Sequence, residues 1–352
     1  MTAKDTTILD RNHSDTRSRA VAIWLFVCAL MIFVMVIIGG VTRLTHSGLS
    51  MVEWKPVTGF LPPTTELVWQ ETFEKYQQYP EFKIKNPDMD LAGFKSIFWL
   101  EFIHRVWGRT IGIVFLLPFM FFLLRGTLDR KLIPKLITMF ILGGLQGLLG
   151  WFMVKSGLYD RPDVSQYRLT AHLTFAFFLY GWILWTALGL CFPKAHDFRQ
   201  TSIHAYKGFL SALTLLLVIT IMSGGFVAGT DAGFIYNTFP LMGDTLLPKD
   251  LFAFDPLVKN FFENVVTIQF THRVLTTLIF FSVLGFWFKT LKLDLPKRTR
   301  MALHCLLAAV ILQTSLGIST LLLAVPVALA ASHQAGALVL LSAVLWARHE
   351  FR

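Results

Sequence analysis

Four histidines in this chain sit where a polar ring is costly. His104, His172, His272 and His333 each lie four to seven residues inside a long apolar run. At about 1.5 Å rise per residue, all four fall roughly 6–10 Å below one and the same membrane boundary. An ionisable side chain inside a bilayer marks a functional site by default. A lone His at such a depth is satisfied by a hydrogen bond to a neighbouring helix, whereas four in one layer ask for common ligands. Two imidazoles converging from facing helices supply the axial ligation that a haem iron requires. Zinc and copper also take His pairs, with carboxylates or thiolates expected nearby to complete the shell.

One acidic residue accompanies the histidines. Glu101 stands three residues before His104, on the same helical face, and the matching position before His272 is neutral Gln269. A carboxylate beside one pair and an amide beside the other suggest chemistry at the first site and a held cofactor at the second. The competing reading is an ion pair with Arg105, one turn on. Arg43, Arg105, Arg109 and Arg273 lie near the same surface, placed either to pair with haem propionates or to snorkel to lipid phosphate.

The elements that must position these residues follow from composition. Of 352 residues, 54% are hydrophobic and 15% charged, against about 25% charged in a soluble domain. The bilayer is therefore the solvent, and the +10 net charge is a topology signal, since it forms no basic groove for nucleic acid. Eight apolar runs are long enough to cross: about 21–41, 97–124, 133–154, 168–191, 206–229, 266–288, 300–323 and 327–347. An even count puts both termini on one side. That side carries 18 Lys and Arg against 11 on the other, so both termini are expected to be cytoplasmic. The first run is too long for a signal-peptide core, and acidic residues among the first 20 argue against a mitochondrial presequence. Cys28, Cys191 and Cys305 form no CxxC pair, which supports neither a disulfide framework nor a zinc site.

The two halves repeat. Gly39-Gly40 with Thr45 and Gly48 matches Gly224-Gly225 with Thr230 and Gly233. Glu101-Phe-Ile-His104-Arg105-Val106 matches Gln269-Phe-Thr-His272-Arg273-Val274. Leu145-Gln146-x-x-Leu149-Gly150 matches Leu312-Gln313-x-x-Leu316-Gly317, and Ala171-His172 matches Ser332-His333. The expected fold is an all-α integral membrane protein of eight transmembrane helices, arranged as two tandem four-helix bundles. Four spans per copy give both halves one orientation, so the pseudo-twofold runs along the membrane normal. The expected units are a cytoplasmic tail (1–20), an N-terminal bundle (21–191) with outer loop 42–96, a cytoplasmic linker (192–205), and a C-terminal bundle (206–347) with outer loop 230–265. Gly143, Gly147 and Gly150 follow a small-residue pattern that lets membrane helices approach closely. Pairing within halves gives His104 with His172 and His272 with His333.

The segments from Gly39 to Pro56 (GGVTRLTHSGLSMVEWKP), Glu101-x-x-His104-Arg105-x-x-Gly108-Arg109 and Gln269-x-x-His272-Arg273 closely resemble the haem A synthase family of cytochrome oxidase assembly proteins, over essentially the whole chain. The resemblance implies oxidation of the C8 methyl group of haem o to the formyl group of haem a. It places haem b as cofactor on His272 and His333, substrate haem on His104 and His172, and the catalytic carboxylate at Glu101. With no cysteine between Cys28 and Cys191, the chain is similar to the branch lacking an outer-loop cysteine pair, found in proteobacteria and mitochondria. A bacterial inner membrane is the location this implies. A link to haem o synthase follows from the hydrophobicity of that enzyme's product, and contact with oxidase assembly factors from the family's role; a homo-oligomer is compatible with the sequence. The rival classes are a dihaem b-type electron carrier and a haem carrier without turnover. The first would place haems near both surfaces, and the second would not require a carboxylate at one site only.

Overall fold

The computed structural model describes residues 3–54, 59–158, 162–192 and 203–352. Pro56 of the motif and most of the 192–205 linker lie outside the described residues. The chain folds as helices α1 (Ala3–Leu44), α2 (Glu66–Gln77), α3 (Pro80–Lys85), α4 (Leu91–Leu124), α5 (Ile133–Lys155), α6 (Gln166–Cys191), α7 (Ile203–Gly229), α8 (Asn260–Glu263), α9 (Val265–Thr290), α10 (Lys297–Leu322) and α11 (Val327–Glu350). Among the described residues eight helices are long and apolar enough to span a membrane: α1 from Ser18 on, α4 to α7, and α9 to α11. The protein is therefore a multi-pass membrane protein, as the hydropathy pattern predicts.

Boundaries differ from the apolar runs where polar residues cap helix ends. Asp90 accepts a hydrogen bond from Gly93 N at 2.8 Å, which starts α4 about two turns before its apolar stretch. Asn264 accepts from Val266 N and Thr267 N and so opens α9. The helix of the first span continues back to Ala3, so most of the 1–20 tail is helical. Outer loop 42–96 contains α2 and α3, whose Trp69, Phe73 and Tyr76 pack on Phe94, Phe98 and Phe102 of α4.

Packing follows the repeat. In the first half α1 packs on α4 and α6, and α5 on α4 and α6; in the second, α7 packs on α9 and α11, and α10 on α9 and α11. The halves meet through α6 with α7, α1 with α11, and α6 with α11. These contacts form one continuous apolar core that includes Leu25, Leu136, Leu210, Leu306 and Leu338. The outer helices turn Leu117, Phe121, Leu145, Leu148 and Phe281 outwards, where lipid replaces a packing partner. The histidine-bearing helices are the diagonal pair of each half. Helix α4 does not pack substantially on α6, nor α9 on α11, so the two histidine-bearing helices of each half are bridged by its other two helices.

Candidate functional site

Each of the four histidines is half-buried, and each ring is seated on a glycine of an adjacent helix in its own half. A Cβ placed on Gly39 would lie 2.9 Å from Cε1 of His104, and one on Gly150 would lie 2.9 Å from Cε1 of His172. In the second half the distances are 3.1 Å from Gly224 to His272 and 2.7 Å from Gly317 to His333. Real Cβ contacts essentially never fall below 3.0 Å, so at Gly39, Gly150 and Gly317 a larger residue would displace the ring, while at Gly224 the contact would be tight. The repeat thus conserves within one chain a pair of seated rings, and the glycines matched between halves are the seats. Gly143 and Gly147, expected to serve helix packing with Gly150, meet nothing within 4 Å; of the three, only Gly150 has a close partner.

The ring nitrogens carry an asymmetry. Nδ1 of His104, His172 and His333 is buried without a hydrogen-bond partner. Nδ1 of His272 lies 2.8 Å from Ser223 Oγ, and that hydroxyl donates to Thr220 O at 2.8 Å. A hydroxyl that donates to Thr220 O is free to accept from Nδ1–H of His272, the tautomer that leaves Nε2 as the free base. The position matching Ser223 in the first half is Ile38, which offers no hydroxyl. Gln146 Nε2 donates to the His172 carbonyl at 2.9 Å and so anchors α6 to α5. His104 lies within electrostatic reach of His172, and His272 of His333.

Glu101 is 2% exposed, and its carboxylate is fully engaged. It accepts from Ser50 Oγ at 2.8 Å, from Met51 N at 2.7 Å and from Arg105 Nη2 at 2.5 Å. The ion pair weighed as the alternative role is thus present. Gln269 performs the same tethering without charge: its Nε2 donates to Ala232 O at 2.9 Å and Tyr236 O at 3.2 Å. In both halves this residue pins the loop after the first span of the half to the helix that bears the His.

Two of the four arginines, Arg105 and Arg273, are occupied by loop backbone. Arg105 donates to Met51 O and Glu53 O at 2.7 and 2.8 Å. Arg273 donates to Tyr236 O, Thr238 O and Leu241 O at 2.8, 2.9 and 3.1 Å. Arg43 reaches across the halves to Asp231 at 2.8 Å and to the Ala228 carbonyl. Arg109 stacks on Phe60, with 5.4 Å from guanidinium to ring centroid. Sequence reasoning did not find Ser50, Ser223 or the four seats. Their only signal was position, Ser223 beside a repeated Gly-Gly and the glycines at matched places in both halves.

Among the described residues no three His, Cys, Asp or Glu side chains converge to cage a metal ion. Two histidines per half, with no carboxylate or thiolate to complete a cage, would suit a haem iron, which needs only axial ligands from the protein. Fold and site together define an eight-span membrane protein whose two halves repeat, each carrying two histidines seated on glycines of neighbouring helices. A sequence model described as cytochrome oxidase assembly protein (COX15-CtaA) matches residues 22–345. The chain is 49% identical over 334 residues to the heme A synthase of Nitrosospira multiformis, covering 95% of this chain and 94% of that one. It is 47% identical over 346 residues to the bovine heme A synthase COX15, covering 96% and 84%, and 46% identical over the same length to the human protein. The chain belongs to the COX15-CtaA family of cytochrome oxidase assembly proteins.

Proposed function

We propose that this protein is an oxidoreductase that carries out the haem A synthase reaction, converting haem o to haem a for cytochrome oxidase assembly. The observation that carries this reading is the two pairs of glycine-seated histidines, with a carboxylate beside one pair and an amide beside the other. The relatives named heme A synthase, matched over nearly their whole length, support it. Haem b is assigned to His272 and His333, and substrate haem o to His104 and His172. The Ser223 hydroxyl, which holds His272 and has no counterpart at the other three histidines, supports His272 as a fixed ligand. When bound, the resident haem supplies one-electron redox chemistry at an iron held by two neutral imidazoles.

The work of the chain's own residues is to hold the substrate ring on edge and to manage charge beside it. Conversion of a methyl to a formyl group by two successive two-electron oxidations takes up one water and releases four protons and four electrons. Glu101 sits one turn from His104 and is held as an acceptor by Ser50, Met51 and Arg105, so its charge is fixed before the reaction begins. It is assigned to stabilise positive charge developing at the ring edge and to accept a proton. The arginines nearest the outer loops, Arg43, Arg105, Arg109 and Arg273, are assigned to the propionate edge, where Arg43, Arg105 and Arg273 also donate to backbone carbonyls. The excess of basic residues on the side of the termini supports a cytoplasmic location for both ends, and a bacterial inner membrane as the site of action.

The test is chromatography of haems extracted from cells that express this protein together with haem o synthase. Haem a is the expected product. Its absence, with the protein inserted and haem o present, would overturn the assignment.

A further inference from the structure

The residues just before the four glycine seats, taken in the order His104, His172, His272 and His333, are Ile38, Leu149, Ser223 and Leu316. One seat of four is thus preceded by a hydroxyl where the others have an aliphatic side chain. Ser223 Oγ lies 2.8 Å from Nδ1 of His272 and 2.8 Å from Thr220 O. A hydroxyl has a single proton to give. Both contacts are hydrogen bonds only when that proton goes to Thr220 O and Nδ1–H of His272 donates to Oγ, which leaves a lone pair on Nε2. The plainer reading is a hydroxyl satisfied within its own helix, as Ser332 is by Ala328 O and Thr214 by Leu210 O. Such a residue needs no second partner, whereas Ser223 has one in a histidine of another helix. The seat of His272 is also the loosest, 3.1 Å from an added Cβ against 2.7–2.9 Å at the other three, so the hydroxyl adds a hold on the ring that its glycine confines least.

An acceptor at Nδ1–H makes an imidazole a stronger electron donor through its other nitrogen. A stronger donor favours an oxidised iron over a reduced one, because the oxidised ion carries more positive charge. Hydrogen bonding to an axial ligand is accordingly one of the levers by which a protein sets a haem potential. Nδ1 of His333, the second histidine of this half, is buried without a partner, as are those of His104 and His172. The two ligands assigned to one iron therefore differ in basicity, and the first half has no equivalent of the stronger one.

We propose that Ser223 is a positioning residue that acts through His272 to lower the reduction potential of the haem held by the second half. The inference rests on the assignment of resident haem b to His272 and His333. Ser223 acts on the iron only through the imidazole ring, by holding its Nδ1–H. Together with Gln269 in place of Glu101, this hydroxyl separates two sites that the repeat otherwise builds alike.

The test is a dye-mediated spectroelectrochemical titration of the full-length protein, purified with its haem b from cells without haem o synthase. It follows the low-spin component that His272→Ala removes. Ser223→Ala should weaken the preference for the oxidised iron about tenfold, the lower end of what the hydrogen-bond partner of a metal ligand contributes. For a one-electron couple that raises the midpoint potential by about 59 mV. Ser223→Thr, which keeps the hydroxyl, should return the potential to the wild-type value. A serine that only satisfies its own helix predicts one potential for all three proteins. An unchanged potential in Ser223→Ala, or a raised one that Ser223→Thr fails to restore, would overturn the proposal. If Ser223→Ala lost its haem b outright, retention in Ser223→Thr would support the hydroxyl's role, and loss from both would overturn it. A normal haem b spectrum in His272→Ala would instead overturn the assignment of the resident haem.

Discussion

Cells expressing the Glu101→Gln variant with haem o synthase should accumulate haem o or its alcohol and contain no haem a, while the variant protein inserts normally and keeps its haem b spectrum. The structure explains why these effects separate. Gln269 occupies the matching position and, as an amide, already pins the equivalent loop to its helix through Ala232 and Tyr236. An amide at position 101 can still accept from Met51 N or Ser50 Oγ, so the loop keeps an anchor. What disappears is the negative charge beside the substrate ring, and removal of one preorganised electrostatic group costs about 10²–10³-fold in rate. Haem a close to the normal level would reject Glu101 as the catalytic carboxylate. Loss of inserted protein would show that the ion pair with Arg105, at 2.5 Å, serves the fold.

Filling the histidine seats should be as damaging, and in a way that distinguishes the halves. In Gly317→Leu the new Cβ would lie 2.7 Å from Cε1 of His333. The His333 ring must then shift from the position it holds, which would disturb its use as an iron ligand. Overpacking costs about 1–3 kcal/mol, equivalent to roughly ten- to hundredfold in ligand affinity. Gly317→Leu should therefore abolish or strongly weaken haem b binding. Gly150→Leu, acting on His172, should leave haem b in place and stop haem a formation. Gly143→Leu is the control: it lies on the same helix as Gly150 and meets nothing within 4 Å, so it should leave both unchanged. The measurement is pyridine haemochrome quantification on purified protein, with haem chromatography alongside.

Most of this architecture is visible in the residue pattern because lipid imposes two simple demands, apolar length and internal backbone satisfaction. The eight spans follow from span length, and the duplication from matched spacing. The outer helices α2 and α3 are different in kind. They are short and lie outside the apolar runs, and their role depends on Trp69, Phe73 and Tyr76 meeting Phe94 and Phe98 from about twenty residues away in sequence. No local periodicity records such a contact. The glycine seats show why a small-residue pattern is ambiguous: Gly143, Gly147 and Gly150 share one spacing, yet only Gly150 faces a histidine. Arginines near a porphyrin site invite assignment to propionates by charge alone. The structure shows Arg105 and Arg273 also satisfying loop carbonyls that would otherwise be stranded near the membrane edge. The tautomer lock on His272 depends on a hydroxyl one helix away, which a single strand of sequence presents only as an ordinary Ser before Gly-Gly.

The division of labour between the two histidine pairs is the claim on which the rest depends. It is tested most directly by the haem b content of four single variants purified from cells without haem o synthase. Because Nε2 of His272 and the ring of His333 are assigned to the resident haem, His272→Ala and His333→Ala should lose or severely perturb the low-spin haem b signal. His104→Ala and His172→Ala should retain it. Retention of a normal signal in both second-half variants, or its loss only in the first-half variants, would contradict the assignment.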